Sequence, residues 1–189
     1  MATTEMRFSG LGGQGMILCA YVVGRAAAVV DGRHATLNQA FGPEARGSAC
    51  SAQLVVSDEQ VMYPYVRGTD ILVAMSQDAY QTFVGEVRDG GIVIVDESLV
   101  TPGDVDRVRV VSVPATLAAE KLGKRIAANM VMAGVFTAAT DVVSPDAMRE
   151  AIRESVPSGT EELNLAAFTR GLELGRSIAR TGEAVEATP

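Results

Sequence analysis

The chain has 189 residues, 48% of them hydrophobic and 21% charged, with a formal net charge of −7. Those proportions suit one globular domain with a single substantial core and lie far from the composition of a disordered chain. Lys and Arg nowhere cluster, which argues against a general nucleic-acid binder, because affinity for a phosphate backbone comes from such clusters.

The first residues, Met1-Ala2-Thr3-Thr4-Glu5-Met6-Arg7, show no basic region followed by an apolar one and a cleavage site, so a cytoplasmic protein is expected. Arg7-Phe8-Ser9 reads as a strand that runs into Gly10-Leu11-Gly12-Gly13-Gln14-Gly15. Good helix formers follow to Asp31, and Gly32 supplies the stop. The apolar part of that helix, residues 16–30, is shorter than the roughly 20 residues of a bilayer span and is interrupted by Arg25. It is also apolar on every side, which suggests a partner. Cys19 on this helix reads as a small buried hydrophobe. With only Cys50 and His34 beside it in the whole sequence, no metal-ligand set is available. Metal or iron–sulfur chemistry would belong to another chain.

Residues 35–39 form a second predicted strand and residues 40–48, with Gly42, Pro43 and Gly47, a loop. Residues 49–57 alternate like a strand, and Ser57-Asp58-Glu59-Gln60 turns toward Val61-Met62-Tyr63, giving either a hairpin or an antiparallel edge beside parallel strands. The apolar runs at 71–75 and 92–96 have the character of strands buried on both faces; the helical stretch 77–88 between them makes a parallel βαβ crossover. One more strand is predicted at 107–113. Helices follow at 115–122, 129–140, 145–156 and 161–180, and then a small polar tail from 181. Strands alternating with helices predict an α/β fold: a three-layer α/β/α Rossmann-like sandwich over residues 1–189, mostly parallel, with an ordered core of about 6–180 and a helical C-terminal third.

Gly10-x-Gly12-x-x-Gly15 between a strand and a helix matches the dinucleotide fingerprint, in which backbone N–H groups and a helix N-terminus approach a pyrophosphate. The acidic residue that holds the adenosine ribose is absent, because the second strand ends Leu37-Asn38-Gln39. The glycines would equally serve only to let the helix pack tightly on the sheet. In Phe41-Gly42-Pro43-Glu44-Ala45-Arg46-Gly47, Glu44 and Arg46 are either an exposed i, i+2 charge pair, worth about 0–1 kcal/mol, or an anion clamp. No Gly-x-Ser-x-Gly elbow and no Gly-Lys-Ser/Thr step follows, and Asp58, Glu59, Asp96 and Glu97 fall at turns and strand ends, where solvated or capping roles are the default. No catalytic residue is assigned.

Taken in order, Gly10-Leu11-Gly12-Gly13-Gln14-Gly15-Met16, Phe41-Gly42-Pro43-Glu44-Ala45-Arg46-Gly47, Val56-Ser57-Asp58 with Tyr63-Pro64, Ala127-Ala128-Asn129-Met130 near Gly134, and Asn164-Leu165-Ala166-Ala167-Phe168 with Gly171 resemble the gamma subunit of 2-oxoacid:ferredoxin oxidoreductases. The resemblance runs from residue 7 to about residue 175 and is closest to the 2-oxoglutarate branch, although the family's usual second glycine is Ser48 here. It implies alpha and beta subunits that hold thiamine diphosphate between them, iron–sulfur clusters on partner chains, and conversion of a 2-oxoacid and coenzyme A to acyl-CoA and carbon dioxide, with electrons passed to ferredoxin. It also implies that this chain helps bind coenzyme A and cover the active centre. Gly10, Gly12, Gly13, Gln14 and Gly15 would then face coenzyme A phosphates, with Glu44 and Arg46 directed toward the partners or the cofactor. The competing readings are a stand-alone NAD(P)-dependent oxidoreductase and a non-catalytic α/β module.

Overall fold

A computed structural model describes residues 3–42 and 47–181. Six strands form one sheet in the order β2-β3-β1-β4-β5-β6. They are β1 (Thr3–Leu11), β2 (His34–Phe41), β3 (Ala49–Ser57), β4 (Thr69–Ala74), β5 (Val87–Asp96) and β6 (Arg109–Val113). Pairs β1/β4, β4/β5 and β5/β6 are parallel, and β3 is antiparallel to both neighbours, β1 and β2. The hairpin thus joins β2 to β3. Val61-Met62-Tyr63 forms no strand: that segment is held over the polar face of the sheet by hydrogen bonds from Asn38 Nδ2 to the Pro64 carbonyl and from Val66 N–H to Gln53 Oε1. The antiparallel strand lies one place in from the edge.

Period-two alternation sorts the strand side chains into two unequal cores. Met6, Phe8, Ala52, Leu54, Ile71, Val73, Ile94 and Val111 face a large core closed by α1 (Met16–Arg25), α3 (Ala115–Lys121), α4 (Ala128–Ala139), α5 (Pro145–Ser155) and α6 (Glu161–Thr181). Leu72, Ala74, Val93 and Val95 face a small one, closed by α2 (Gln77–Phe83) and Val100. Helices therefore flank both faces, with one outer layer far thinner than the other. A single π turn, Ala26–Val30, extends α1 before Gly32, at φ 69°, ends it.

The apolar character of α1 is explained inside the chain. Met16, Cys19, Ala20, Val22, Val23 and Gly24 are buried between the sheet and helices α4 and α5, leaving Tyr21 as its exposed large apolar residue. The hydrophobicity that suggests a partner is mostly spent on the protein's own core. Among the described residues no helix is long and apolar enough to cross a membrane.

Candidate functional site at the glycine loop

In an open α/β sheet a crevice forms where neighbouring strands send their connections to opposite faces, outside the carboxyl ends of those strands. Here β1 leads into α1 on the large-core face, while its neighbour β4 leads into α2 on the other. The glycine loop lies at this switch point. Gly13 and Gly15 adopt φ of 99° and 75°, a region that a Cβ disfavours. Gly15 also occupies the N-cap position of α1, where a Cβ would overlap the Asn129 side chain. Asn129, buried at the start of α4, donates from Nδ2 to the Gly15 carbonyl at 3.2 Å and so ties the beginnings of two helices together.

Gln14 spans the crevice. Its Oε1 accepts from Leu11 N–H at 2.7 Å, and its Nε2 donates to the Met75 carbonyl at 2.7 Å, so one amide links the ends of β1 and β4. Gly10 leaves room for it, since a Cβ there would overlap Oε1. Gly12 N–H donates to the Ser48 carbonyl at 2.8 Å, and Gly47 N–H donates back to the Gly12 carbonyl at 3.1 Å. The two motif loops are therefore joined by a reciprocal pair of backbone bonds that continues the β1/β3 ladder. Glu44 and Arg46 lie outside the described residues; after them, Gly47 and Ser48 rest on the glycine loop, while Gly42 N–H donates to the Ala49 carbonyl at 2.9 Å.

This geometry narrows the phosphate cradle. The N–H groups of Leu11, Gly12 and Gln14 are engaged within the chain, the last with the Leu11 carbonyl at 3.0 Å. Gly13 is exposed, and the first turn of α1 holds N–H groups that have no intrahelical acceptor and carry the positive end of the helix dipole. A cavity of about 230 Å³ opens beside them, lined by Gly13, Gln14, Met75, Thr116, Arg125 and Ala128. Sequence reasoning did not single out Arg125 or Thr116. Their only local signal is position, a cation and a hydroxyl just ahead of and within helical segments, and fold topology alone brings them to the glycine loop.

Asp96 sits at the carboxyl end of β5 and is fully buried rather than solvated, in the capping role that was the other expectation. It caps α3 from a neighbouring element: its carboxylate accepts from Thr116 N–H at 2.8 Å, from Thr116 Oγ1, and from Ser98 N–H at 3.0 Å. Partial burial, and secondarily Asp96, hold the adjacent Glu97 carboxyl above its ordinary range. His34, expected in an exposed loop, is exposed but begins β2. Among the described residues no three His, Cys, Asp or Glu side chains gather as metal ligands.

The sheet order also bears on the dinucleotide reading. In a dinucleotide-binding unit the strand after the first helix lies beside β1 and brings its tip to the ribose. Here β3 separates β2 from β1, so the tip of β2 stands two strand spacings away, about 9–10 Å. The missing acid and the inserted strand point the same way.

Residues 5–174 match the family described as pyruvate ferredoxin/flavodoxin oxidoreductase. The 2-oxoglutarate synthase subunit KorC of Methanocaldococcus jannaschii is 45% identical over 177 residues, covering 92% of this chain and 95% of that protein. The keto/oxoacid ferredoxin oxidoreductase gamma subunit of Geobacter sulfurreducens superposes with a TM-score of 0.82 at 35% identity, covering 92% of this chain and 99% of that one. The 2-oxoglutarate:ferredoxin oxidoreductase of Magnetococcus marinus, solved with 2-oxoglutarate, coenzyme A and succinyl-CoA bound, shares the fold at a TM-score of 0.85 and 20% identity, over 94% of this chain and 32% of that chain. Joined motif loops at the switch point, the sheet order and these likenesses converge: the chain belongs to the pyruvate ferredoxin/flavodoxin oxidoreductase family, as a gamma-type subunit of a 2-oxoacid:ferredoxin oxidoreductase.

Proposed function

We propose that this chain serves a complex that takes 2-oxoglutarate, and that its glycine-loop crevice receives the phosphate end of coenzyme A. The substrate rests on the likeness to KorC along nearly the whole chain. In the complete reaction 2-oxoglutarate, coenzyme A and two oxidised ferredoxins give succinyl-CoA, carbon dioxide, a proton and two reduced ferredoxins. Thiamine diphosphate and iron–sulfur clusters on the companion alpha and beta subunits supply the bond breaking and the electron path. This chain binds and covers.

The observation that carries the coenzyme A reading is the joining of the glycine loop to the Gly42–Ser48 loop at one end of the sheet. Gly13 and Gln14 of the loop that leads into α1 line one cavity with Arg125. The helix start and Arg125 both suit an anion, through oriented N–H groups and a guanidinium. Arg46, in the sequence between Gly42 and Gly47, is the second cation we assign to the phosphates. An adenosine moiety would lie outward from the crevice.

In the assembled complex, Arg125→Ala and Arg46→Ala should each raise the KM for coenzyme A about tenfold, the loss of one charge-assisted hydrogen bond, while leaving the KM for 2-oxoglutarate unchanged. Steady-state kinetics with both substrates varied would check this. An unchanged KM for coenzyme A in both variants refutes the placement. Recovery of this chain without thiamine-binding subunits, on affinity purification at native expression, refutes the assembly.

A further inference from the structure

Strand β1 ends differently on its two sides. Toward β3 its ladder runs on without a break, with Gly12 N–H donating to the Ser48 carbonyl. Toward β4 it does not. Parallel strands are joined by evenly spaced, slanted rungs, so a residue that donates to one carbonyl of its neighbour accepts from the N–H two positions further along. Met75, just after β4, donates to the Ser9 carbonyl at 3.0 Å. The next rung is therefore due between Leu11 N–H and the Met75 carbonyl. Instead, Leu11 N–H donates to Gln14 Oε1 at 2.7 Å, and Gln14 Nε2 donates to the Met75 carbonyl at 2.7 Å. A side-chain amide is spliced into the ladder as a substitute peptide.

The splice widens the gap between the strand ends, since two hydrogen bonds and an amide span what one bond of about 2.9 Å otherwise would. It falls where width matters. Gln14 precedes Gly15, the N-cap of α1, and Met75 precedes Ser76, whose hydroxyl caps α2 by accepting from Ala79 N–H at 3.2 Å. The amide thus sets the spacing of the two helices that leave the sheet toward opposite faces. Gly13, Gln14 and Met75 line the cavity of about 230 Å³ that Arg125 also lines. Gly10 belongs to the same device. Its φ is not positive, so its backbone does not call for glycine, but the nearest atom that a Cβ there would meet is Gln14 Oε1.

We infer that Gln14 is a positioning residue: its amide replaces the last rung between β1 and β4, keeps the two strand ends apart, and so holds open the cavity for the phosphate end of coenzyme A. The cavity's ligand rests on the coenzyme A reading above. The spacer rests on the ladder.

Gln14→Ala and Gln14→Met, each in the assembled complex, separate this role from a direct contact with the ligand. Alanine removes the wedge and lets Leu11 N–H reach the Met75 carbonyl. Amide exchange at Leu11 then stays slow, while the narrowed cavity raises the KM for coenzyme A roughly ten- to a hundredfold, the scale of loss that a misplacement of about 1 Å can cause. Methionine keeps the length without the bonds, so the strand ends stay apart: Leu11 exchanges faster, and the KM for coenzyme A stays within about threefold of wild type. Equal rises in KM in the two variants would mean that the amide touches the ligand, and they overturn the inference; so does fast exchange at Leu11 in Gln14→Ala. Arg125→Ala, assayed alongside, keeps the two proposals apart. If it raises the KM for coenzyme A and Gln14→Ala does not, the coenzyme A reading stands and the spacer falls. If neither raises it, both fall.

Discussion

Cys19 shows how one residue writes a pH dependence into the fold. Its thiol is completely buried in the α1 packing, and burial pushes its pKa up to about 12. The folded state thus holds the proton across a range where the unfolded chain, with a thiol pKa near 8.5, gives it up. Its contribution to stability is complete below about pH 8.5 and is lost as pH climbs toward 12, at about 1.4 kcal/mol per pH unit. Cys19→Ala removes that slope. Urea unfolding at pH 7 and pH 10 should therefore show a smaller alkaline loss in the variant, despite a lower stability at pH 7. Equal alkaline losses in both proteins would show that the thiol does not titrate on unfolding. The same logic of burial makes Asp96 costly to alter. Asp96→Ala strips the cap from Thr116 and Ser98 N–H groups, with an expected loss of about 2–4 kcal/mol by denaturant titration.

At the scale of elements, α4 and α6 form the closest helix pair, and small residues set their approach. Gly134 and Ala138 on α4 face Gly171 and Gly175 on α6; a Cβ at Gly171 would run into the Val131 carbonyl, and one at Gly134 into the Phe168 carbonyl. Since interaxial distance depends on the side chains at the contact, Gly171→Ala must push the helices apart or strain the backbone. The expected cost is about 1–3 kcal/mol, more than an alanine's helix propensity returns, and a drop in thermal midpoint checks it.

Most elements were legible because period and punctuation are local: β3, α3, α4, α5 and α6 fall within a residue or two of their sequence limits. What local signals cannot carry is who pairs with whom. Ser57-Asp58-Glu59-Gln60 does turn the chain, but β3 had already found partners in β2 and β1, leaving Val61-Met62-Tyr63 to lie across the sheet. At the site, Gly10, Gly12 and Gly15 announced a tight strand-to-helix turn. Leu11, Gly12 and Gln14 gave no sign that their own N–H groups would be consumed by Gln14, Ser48 and Leu11. Arg125 and Asn129 reach the glycine loop only because α4 begins beside α1.

Over the whole molecule, the unequal cores predict unequal stability. The large core interlocks α1, α4, α5 and α6 with five strands, so its opening requires global unfolding. The small core rests on α2, two turns long, with Ala79 and Tyr80 as its buried residues, followed by a 3₁₀ turn at Val84–Glu86. Tyr80 Oη accepts from Gly103 N–H at 3.0 Å, and Gln77 accepts from Thr101 N–H at 2.8 Å, pinning the stretch after β5 onto α2. Few buried apolar contacts and a layer pinned by a few exposed or part-buried side-chain hydrogen bonds are the marks of a sub-global opening unit. Native-state hydrogen exchange should therefore find α2 and residues 97–106 exchanging through a cheaper opening than α4. Tyr80→Phe keeps the ring and deletes the acceptor, stranding Gly103 N–H at a cost of about 1 kcal/mol. Exchange in α2 and in residues 97–106 should rise about fivefold, while α4 changes little, because its amides report an event that does not pass through this layer. An equal acceleration in α4 would mean that the two cores unfold as one unit, and that the thin layer, despite its few contacts, is bound into the cooperativity of the whole.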